Sequence, residues 1–429
     1  MAAKVRPHLL FAGADGNIYD HPDLLMLCRR GREMGLPRPD ELTPLPPESE
    51  LFLLPGRHAL GLDPETGQVE AMEEQPVAAF VCPGYTLTGH AAYSSGPDAP
   101  VLPLFAYGAV GFANGRFYVS AKRVDEDKRQ VFENIARGRI QQGAQQWLKE
   151  FPDNRLVQHL MGCALTNCCP AARNLCLGRF EAPLPTSRTC NARCVGCISL
   201  QPEESGFPAT QSRLAFTPTP DEIVQIMQRH GKREARPVYS FGQGCEGEPL
   251  TEAETIAQAI ATFRSQGGAG TVNVNTNASL PGAVERIAQA GASSMRVSLN
   301  SAREPLYNAY YRPKGYGLED VRQSISTAKQ AGMFVSLNFL FFPGVSDTEG
   351  ELDALAGLVH DLQVDFIQLR NLNLDPELYL DLLESDPEAG PALSREPAMG
   401  FVNFRRRLRK ACPWLGFGYF NPYLERDAE

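Results

Sequence analysis

Residues 179–197 read RFEAPLPTSRTCNARCVGC, a short apolar run followed by three cysteines in the spacing C-x3-C-x2-C. Phe180–Leu184 has the length of a buried strand, and the turn that leaves it places Cys190, Cys194 and Cys197 on one short loop. The chain beyond the third cysteine is rhythmic: apolar run, Gly- or Asn-rich turn, amphipathic helix. Further strands are expected at Val238–Phe241, Val272–Val274, Met295–Leu299, Val335–Phe341 and Phe366–Leu369. Thr219-Pro220-Asp221-Glu222 reads as a capping box opening a helix that stops at Gly231. Thr251 with Glu254 reads as a second box, ahead of Ile256, Ile260 and Phe263, with Gly267 as the stop. Two more helices carry Val284 with Ile287, ending near Gly291, and Leu318, Val321 and Ile325, ending at Gly332. Ser346 with Glu349 opens a fifth, carrying Leu352, Leu355 and Val359. Strands alternating with helices imply right-handed βαβ units and a parallel sheet. Six units fit where a closed eight-unit barrel needs about 250 residues. The expected fold is therefore α/β, a partial (βα)6 TIM-type barrel over 180–375, with its chemistry at the C-terminal ends of the strands.

Outward from that core the chain changes character. Residues 1–125 carry frequent Gly and Pro between short apolar runs such as Leu51–Leu54 and Val77–Val81. Phe105–Ala121 reads as a hairpin turning at Asn114-Gly115, and the segment is expected to be a β-rich module. Residues 126–179 read as a helical, Cys-rich connector, with Val131, Ile135, Ile140 and Trp147 at helical spacing. Residues 376–429 read as a C-terminal helical extension.

The composition, 43% hydrophobic and 21% charged over 429 residues, suits a chain that buries a core. A net charge of -9 argues against bulk nucleic acid binding. The basic run from Arg405 to Lys410 reads as the solvated face of a helix that buries Phe401, Phe404 and Leu408. No stretch is long and apolar enough to span a membrane, and MAAKVRPHLLFAGADG lacks the apolar run of a signal peptide. The expected location is cytoplasmic, where thiols stay reduced. Seven of the eleven cysteines lie between Cys163 and Cys197, and clustered thiols in a reducing compartment point to metal.

Three thiolates on one loop can hold three irons of a cubane and leave the fourth open to a small molecule. C-x3-C-x2-C after the first strand of a six-unit partial barrel resembles the radical S-adenosylmethionine (radical SAM) superfamily. The later strand ends extend the resemblance across roughly 180–375. Gly244-Cys245-Glu246-Gly247-Glu248-Pro249 is similar to the family's Gly-Gly-Glu-Pro segment, which makes Gly247 and Glu248 contacts to the methionine amino group. Asn275-Thr276-Asn277 resembles its Thr-Asn turn, and Arg296–Asn300 the strand whose Ser298 and Asn300 reach ribose or carboxylate. The Pro343–Thr348 segment resembles its exit loop, and Arg370 with Asn371 ends the sixth strand where a carboxylate contact is useful. Gly196 departs from the pattern, because many members carry an aromatic there, beside adenine. The resemblance implies a [4Fe–4S] cluster on Cys190, Cys194 and Cys197, S-adenosylmethionine as cofactor, and an electron donor such as flavodoxin or ferredoxin. It also implies reductive cleavage to a 5′-deoxyadenosyl radical that abstracts hydrogen from a substrate.

Other readings stand beside this one. The three thiols also fit a structural zinc site closed by Cys176 or another thiol, within a Cys-rich metal-binding adaptor that cleaves nothing. Cys163, Cys168, Cys169 and Cys176 fit either an auxiliary iron–sulfur or zinc site or buried thiols packing as small hydrophobes. Cys245 reads more readily as packing than as a hydrogen donor, and the histidines as surface or satisfied core. Tyr307–Lys314 reads equally as a substrate-contacting segment or an amphipathic loop. The substrate is not legible; an open barrel side and a separate N-terminal module suit a peptide or protein.

Overall fold

The computed structural model describes residues 5–393 and 397–424. Residues 1–4, part of the stretch read as lacking a signal, and 394–396 and 425–429 of the C-terminal extension lie outside the described residues.

A parallel sheet organises the second half of the chain. Its strands are β1 (Glu181–Leu184), β2 (Val238–Phe241), β3 (Thr271–Thr276), β4 (Ser294–Leu299), β5 (Phe334–Phe341), β6 (Phe366–Asn371) and β7 (Gly416–Gly418), paired in that order. Neighbours run parallel throughout, with Ser240 opposite Asn273, Asn275 opposite Arg296, and Leu340 opposite Arg370. Strict alternation gives the sheet two unlike faces. Phe241, Val274, Val297, Phe339 and Leu369 point one way into the main core, under the helices. The residues between them, Ser240, Asn273, Asn275, Arg296, Ser298, Asn338, Gln368 and Arg370, are mostly polar and share the other face. Consecutive strand order with crossovers of one hand keeps the helices on one side and leaves that polar face free of them.

The crossovers are α4 (Pro220–Gly231), α5 (Ala253–Ser265), α6 (Pro281–Gln289), α7 (Glu304–Tyr311) with α8 (Leu318–Gln330), and α9 (Glu349–Leu362), preceded in the chain by α1 (Arg137–Glu150), α2 (Arg155–Leu165) and α3 (Pro170–Leu177). The Thr219–Glu222 capping box forms as expected. The Thr251–Glu254 box does not: a 3-10 turn at Pro249–Glu252 precedes α5, and the Thr251 hydroxyl donates to Glu248 O at 2.8 Å. Nor does Ser346 cap α9; its Oγ accepts from Phe342 N–H at 2.9 Å, within the exit loop. Helical spacing from Val131 was misleading, because α1 starts only at Arg137 and Val131 and Ile135 sit in preceding turns.

Residues 8–123 form an antiparallel sheet assembly. Gly108–Ala113 and Arg116–Arg123 make the hairpin, with Val110 opposite Val119. Asn114 and Gly115 turn it at φ of 50° and 76°, the positive values a two-residue turn needs. Its core around Leu10, Val77, Val110 and Val119 is its own. It nonetheless seats firmly on the C-terminal rim of β5 and β6. Thr86 Oγ1 donates to Leu369 O at 2.8 Å, and Leu87 N–H to Asn371 Oδ1 at 2.8 Å. Gly31 N–H donates to Pro343 O at 2.8 Å. A Cβ on Gly344 would come within 1.9 Å of Gly31 N, so the exit loop is glycine because another backbone lies on it. Arg57 pairs with Asp375 at 2.9 Å, both 3% exposed, ahead of α10 (Pro376–Ser385).

The C-terminal extension is helical through α11 (Ala389–Ala392) and α12 (Phe401–Ala411), which buries Phe401, Phe404 and Leu408 as read from its pattern. It then returns as strand rather than helix, since β7 adds to the sheet beside β6. Asn421 lies just beyond and plugs the floor of the polar face, donating to Glu181 Oε1 at 2.9 Å and accepting from Gln368 Nε2 at 2.8 Å. No helix of the described residues is long and apolar enough to cross a membrane.

Candidate functional site

The cysteine loop leaves the C-terminal end of β1 and is held from three sides. On one side, Arg193 N–H donates to Tyr311 O and Val195 N–H to Tyr310 O, each at 3.0 Å, while Lys314 N–H donates to Asn191 O at 2.9 Å. The first part of the Tyr307–Lys314 segment, through Tyr311, is helix rather than loop, while Arg312 and Lys314 beyond it are exposed. The helix end is buried, with Tyr307, Tyr310 and Tyr311 packed ring against ring, and it braces the cysteine loop. At Gly196 a Cβ would lie 2.6 Å from the Tyr310 hydroxyl, so an aromatic from α7 already fills the space at that position.

On the second side stands the loop after β2. Gly247 N–H donates to Ser187 O at 2.7 Å and Glu248 N–H to Thr189 O at 2.8 Å. A Cβ on Gly247 would fall 1.8 Å from Thr189 O, so no other residue allows this approach. Glu246 makes the crossing rigid: its carboxylate accepts from Thr186, Ser187 and Gln243 N–H at 2.7, 2.8 and 2.6 Å. Burial pushes it up to about 7, against the pull of those same bonds. Glu248 is likewise pushed up to about 7 by burial. Its carboxylate accepts from Leu250 N–H at 3.0 Å, Asn277 N–H at 2.8 Å and the Thr276 hydroxyl. With two donors on Oε1 and one on Oε2, one acceptor direction of Oε2 remains.

On the third side Asn277 Nδ2 donates to Asn191 Oδ1 at 2.9 Å, and Asn191 Nδ2 to Ser279 Oγ at 2.8 Å. Asn275 bonds Gly242 O at 2.8 Å and accepts from Asn273 at 2.7 Å. These expected site residues are therefore committed to joining the ends of β2 and β3 to the cysteine loop. Asn300 is buried and turned away, its Nδ2 on Leu306 O and Tyr379 Oη, with Oδ1 unpartnered. Ser298 and Arg370 stand on the polar face of the sheet. Arg370 stacks 3.9 Å over Tyr419, and its buried Nε has no partner. Arg296, which the sequence reading passed over, shares that face with a buried unpartnered Nε. Burial, then the charge of Arg370, lowers it to about 9. Its signal was period two: Arg296 and Ser298 alternate with Met295, Val297 and Leu299.

The donor set suits a cubane. Three thiols sit on one loop, and Arg213 Nη2 approaches Cys197 Sγ at 3.5 Å. Burial, then the charges of Cys197 and Cys190, pushes the Cys194 thiol up, so the three are electrostatic neighbours. Among the described residues, the group whose ligand atoms all lie within 4.8 Å of one another is instead His159, Cys163 and Cys245. Three neighbouring thiols on one short loop suit a cubane that takes one thiolate per iron. The four cysteines of the expected second set do not all meet at one point. Cys176 is buried against Met161 Sδ at 3.5 Å, and Cys168 is exposed at φ 54° in the turn before α3. Cys169 starts α3. Of the four, Cys163 meets ligand atoms of His159 and Cys245, residues read as surface or satisfied core and as packing, and the Cys169 thiol is an electrostatic neighbour of Cys163 and Cys245. Sequence could not show this, because Cys245 is 82 positions further along.

A cavity of about 450 Å³ lined by Lys232, Phe263 and Tyr423 opens at the opposite, N-terminal end of the strands, away from the cysteine loop. Residues 184–356 match the family model described as the radical SAM superfamily. Among solved structures, the chain is similar to SuiB of Streptococcus suis bound to precursor peptide SuiA, at 12% identity over 57% of this chain and 52% of that one, TM-score 0.37. It is similar to a radical SAM methyltransferase from Sphaerobacter thermophilus, at 16% identity over 56% and 66%, TM-score 0.36. It is similar also to the FeFe-hydrogenase maturase HydG from Carboxydothermus hydrogenoformans, at 12% identity over 65% and 74%, TM-score 0.33. Scores this low leave the family model to carry the assignment. Residues 184–356, which carry the cysteine loop and the ends of β2 to β5, are thus a domain of the radical SAM superfamily type, a superfamily of enzymes.

Proposed function

We propose that the sheet is an open, partial (βα)6 barrel whose polar face binds S-adenosylmethionine over a [4Fe–4S] cluster held by Cys190, Cys194 and Cys197. When bound, the pair supplies one-electron cleavage of a C–S bond, giving methionine and a 5′-deoxyadenosyl radical that takes hydrogen from the substrate. The chain's own residues orient and shield. Glu246 and Gly247 clamp the loop after β2 against Ser187, and Glu248 N–H against Thr189, which fixes where Cys190 begins. The free direction on Glu248 Oε2 accepts from the ammonium of the methionine end. Ser298, Arg296 and Arg370 line the polar face, and the two guanidiniums favour a carboxylate there. Asn275, Asn277 and Asn300 act as positioning residues.

The carrying observation is the loop itself: three thiols at the C-terminal end of β1, braced by backbone bonds from α7 and the β2 loop, beside a sheet face of polar side chains. The N-terminal assembly seats on the rim of β5 and β6 and forms a wall beside the strand ends, which suits a peptide or protein substrate. The reaction needs a reductant such as flavodoxin or ferredoxin and a compartment that keeps thiols reduced, the cytoplasm. Anaerobic reconstitution of the wild type and the Cys190→Ala/Cys194→Ala/Cys197→Ala variant tests the reading. The wild type is expected to hold about four irons on this loop, as one cubane requires, and to release 5′-deoxyadenosine. The variant is expected to lose both. Unchanged product from the variant would end the radical reading and favour the metal-binding adaptor.

A further inference from the structure

We propose that His159, Cys163 and Cys245 form a mononuclear zinc site that ties α2 to the loop carrying Gly247 and Glu248. His159 and Cys163 stand four residues apart on α2, one turn and one face. Cys245 comes from the loop after β2. One ring nitrogen, His159 Nε2, lies 3.4 Å from Cys245 Sγ and 3.5 Å from Cys163 Sγ. All three ligand atoms lie within 4.8 Å of one another. Around a tetrahedral zinc, bond lengths of about 2.3 Å to sulfur and 2.0–2.1 Å to nitrogen set ligand edges of about 3.6 Å (N–S) and 3.8 Å (S–S). The two N–S separations already match such an edge. Hydrogen bonding alone explains them less well, because one ring nitrogen shared between two sulfurs makes two poor bonds and a thiol is a weak partner.

The chemistry of the set also selects the ion. Two thiolates and a neutral imidazole neutralise a divalent cation in a place where Cys163 and Cys245 are 4% and 6% exposed. His159 is half-buried and the Cys169 thiol neighbours both Cys163 and Cys245, so the fourth position falls to water or to Cys169. A cubane does not fit, since it spreads its thiolates over separate irons. The consequence is positional: Glu246 and Gly247 follow Cys245 directly, so the ion pins the start of the clamp that holds Thr189 and Cys190. Leu214 N–H donates to Cys245 O at 2.7 Å and holds that loop from its other side.

The site is independent of the cluster reading, and one set of samples separates them. Wild type, His159→Gln, Cys245→Ser and the Cys190/Cys194/Cys197→Ala variant would be purified anaerobically and reconstituted with iron and sulfide. Zinc and iron per chain, zinc-edge X-ray absorption and 5′-deoxyadenosine release would then be measured. The wild type is expected to retain one zinc with two or three sulfur neighbours at about 2.3 Å and nitrogen or oxygen at about 2.0–2.1 Å. The loop variant is expected to keep that zinc while losing iron. His159→Gln is expected to weaken zinc retention against a chelator by about a hundredfold or more, with its iron count unchanged. Cys245→Ser repeats the test; if it fails to fold, His159→Gln decides alone. A wild type without zinc, zinc indifferent to His159→Gln, zinc lost with the loop cysteines, or a Cys163–Cys245 disulfide on peptide mapping would each overturn the site.

Discussion

Gly247→Ala tests the clamp most sharply. The added Cβ would start 1.8 Å from Thr189 O and 2.4 Å from Thr189 C, where real Cβ contacts stay beyond 3.0 Å. Both neighbours are backbone, so no rotamer relieves the clash, and the two strands of the clamp must part by at least 1.2 Å. That stretches the Gly247–Ser187 and Glu248–Thr189 hydrogen bonds, now 2.7 and 2.8 Å. At about 1 kcal/mol for each bond, and more for donors left buried and unpaired, the loss is about 2–4 kcal/mol. Thr189 precedes Cys190, so the displacement passes straight to the cysteine loop. A misplacement of about 1 Å near reacting atoms costs on the order of a hundredfold in rate. The assays are urea unfolding of the apo chain and 5′-deoxyadenosine release from the reconstituted protein. Gly357→Ala is the control: Gly357 is exposed on α9 with open space around it, and the change is expected to be neutral or stabilising by up to about 1 kcal/mol. A Gly247→Ala protein with wild-type stability and wild-type turnover would refute the clamp.

Gly196→Ala is expected to destabilise by about 1–3 kcal/mol through contact with the Tyr310 hydroxyl, and Tyr310→Phe in the same chain to recover most of that loss; a double-mutant cycle with no coupling would disprove the contact. Arg57→Ala strands the buried Asp375 carboxylate and is expected to cost about 3–5 kcal/mol by denaturant unfolding, whereas a change under about 1 kcal/mol would mean the pair is wet. Burial pushes Glu351 up to about 7 from its ordinary 4.5, despite the Ser301 hydroxyl bond and the Arg303 charge. The folded chain therefore holds a proton that the unfolded chain has released between those values. Its contribution to stability is full below about pH 4.5 and lost as pH rises through about 7, and Glu351→Gln should flatten that stretch of the stability curve.

Much of the sheet was legible because strand spacing and helix stops are local signals. The apolar runs from Phe180 to Leu369 mark six of its strands, and the Thr219–Glu222 box starts α4 where its chemistry says. Start signals failed where a polar side chain had a tertiary partner. Thr251 turns back to Glu248 and Ser346 to Phe342, so neither caps a helix. β7 was missed because Gly416–Gly418 carries no strand propensity of its own and is recruited by the edge of β6. At the site, Cys190, Cys194 and Cys197 are legible because they lie on nine consecutive residues with Thr189. Glu248, Asn275 and Asn277 were found as polar residues at strand ends, yet most of their bonding capacity goes to each other's loops. Such division of labour between neighbouring loops depends on three-dimensional contacts. The same holds for His159 and Cys245, whose meeting is set by how α2 lies against the β2 loop.

The central claim is radical chemistry at the cysteine loop, and it is tested most directly by EPR of the reduced, reconstituted protein before and after addition of S-adenosylmethionine, with 5′-deoxyadenosine quantified in the same samples. The account predicts a cluster signal that changes on addition of S-adenosylmethionine and 5′-deoxyadenosine that accumulates with reductant. A fully loaded cluster whose signal ignores S-adenosylmethionine, with no 5′-deoxyadenosine formed, would contradict it.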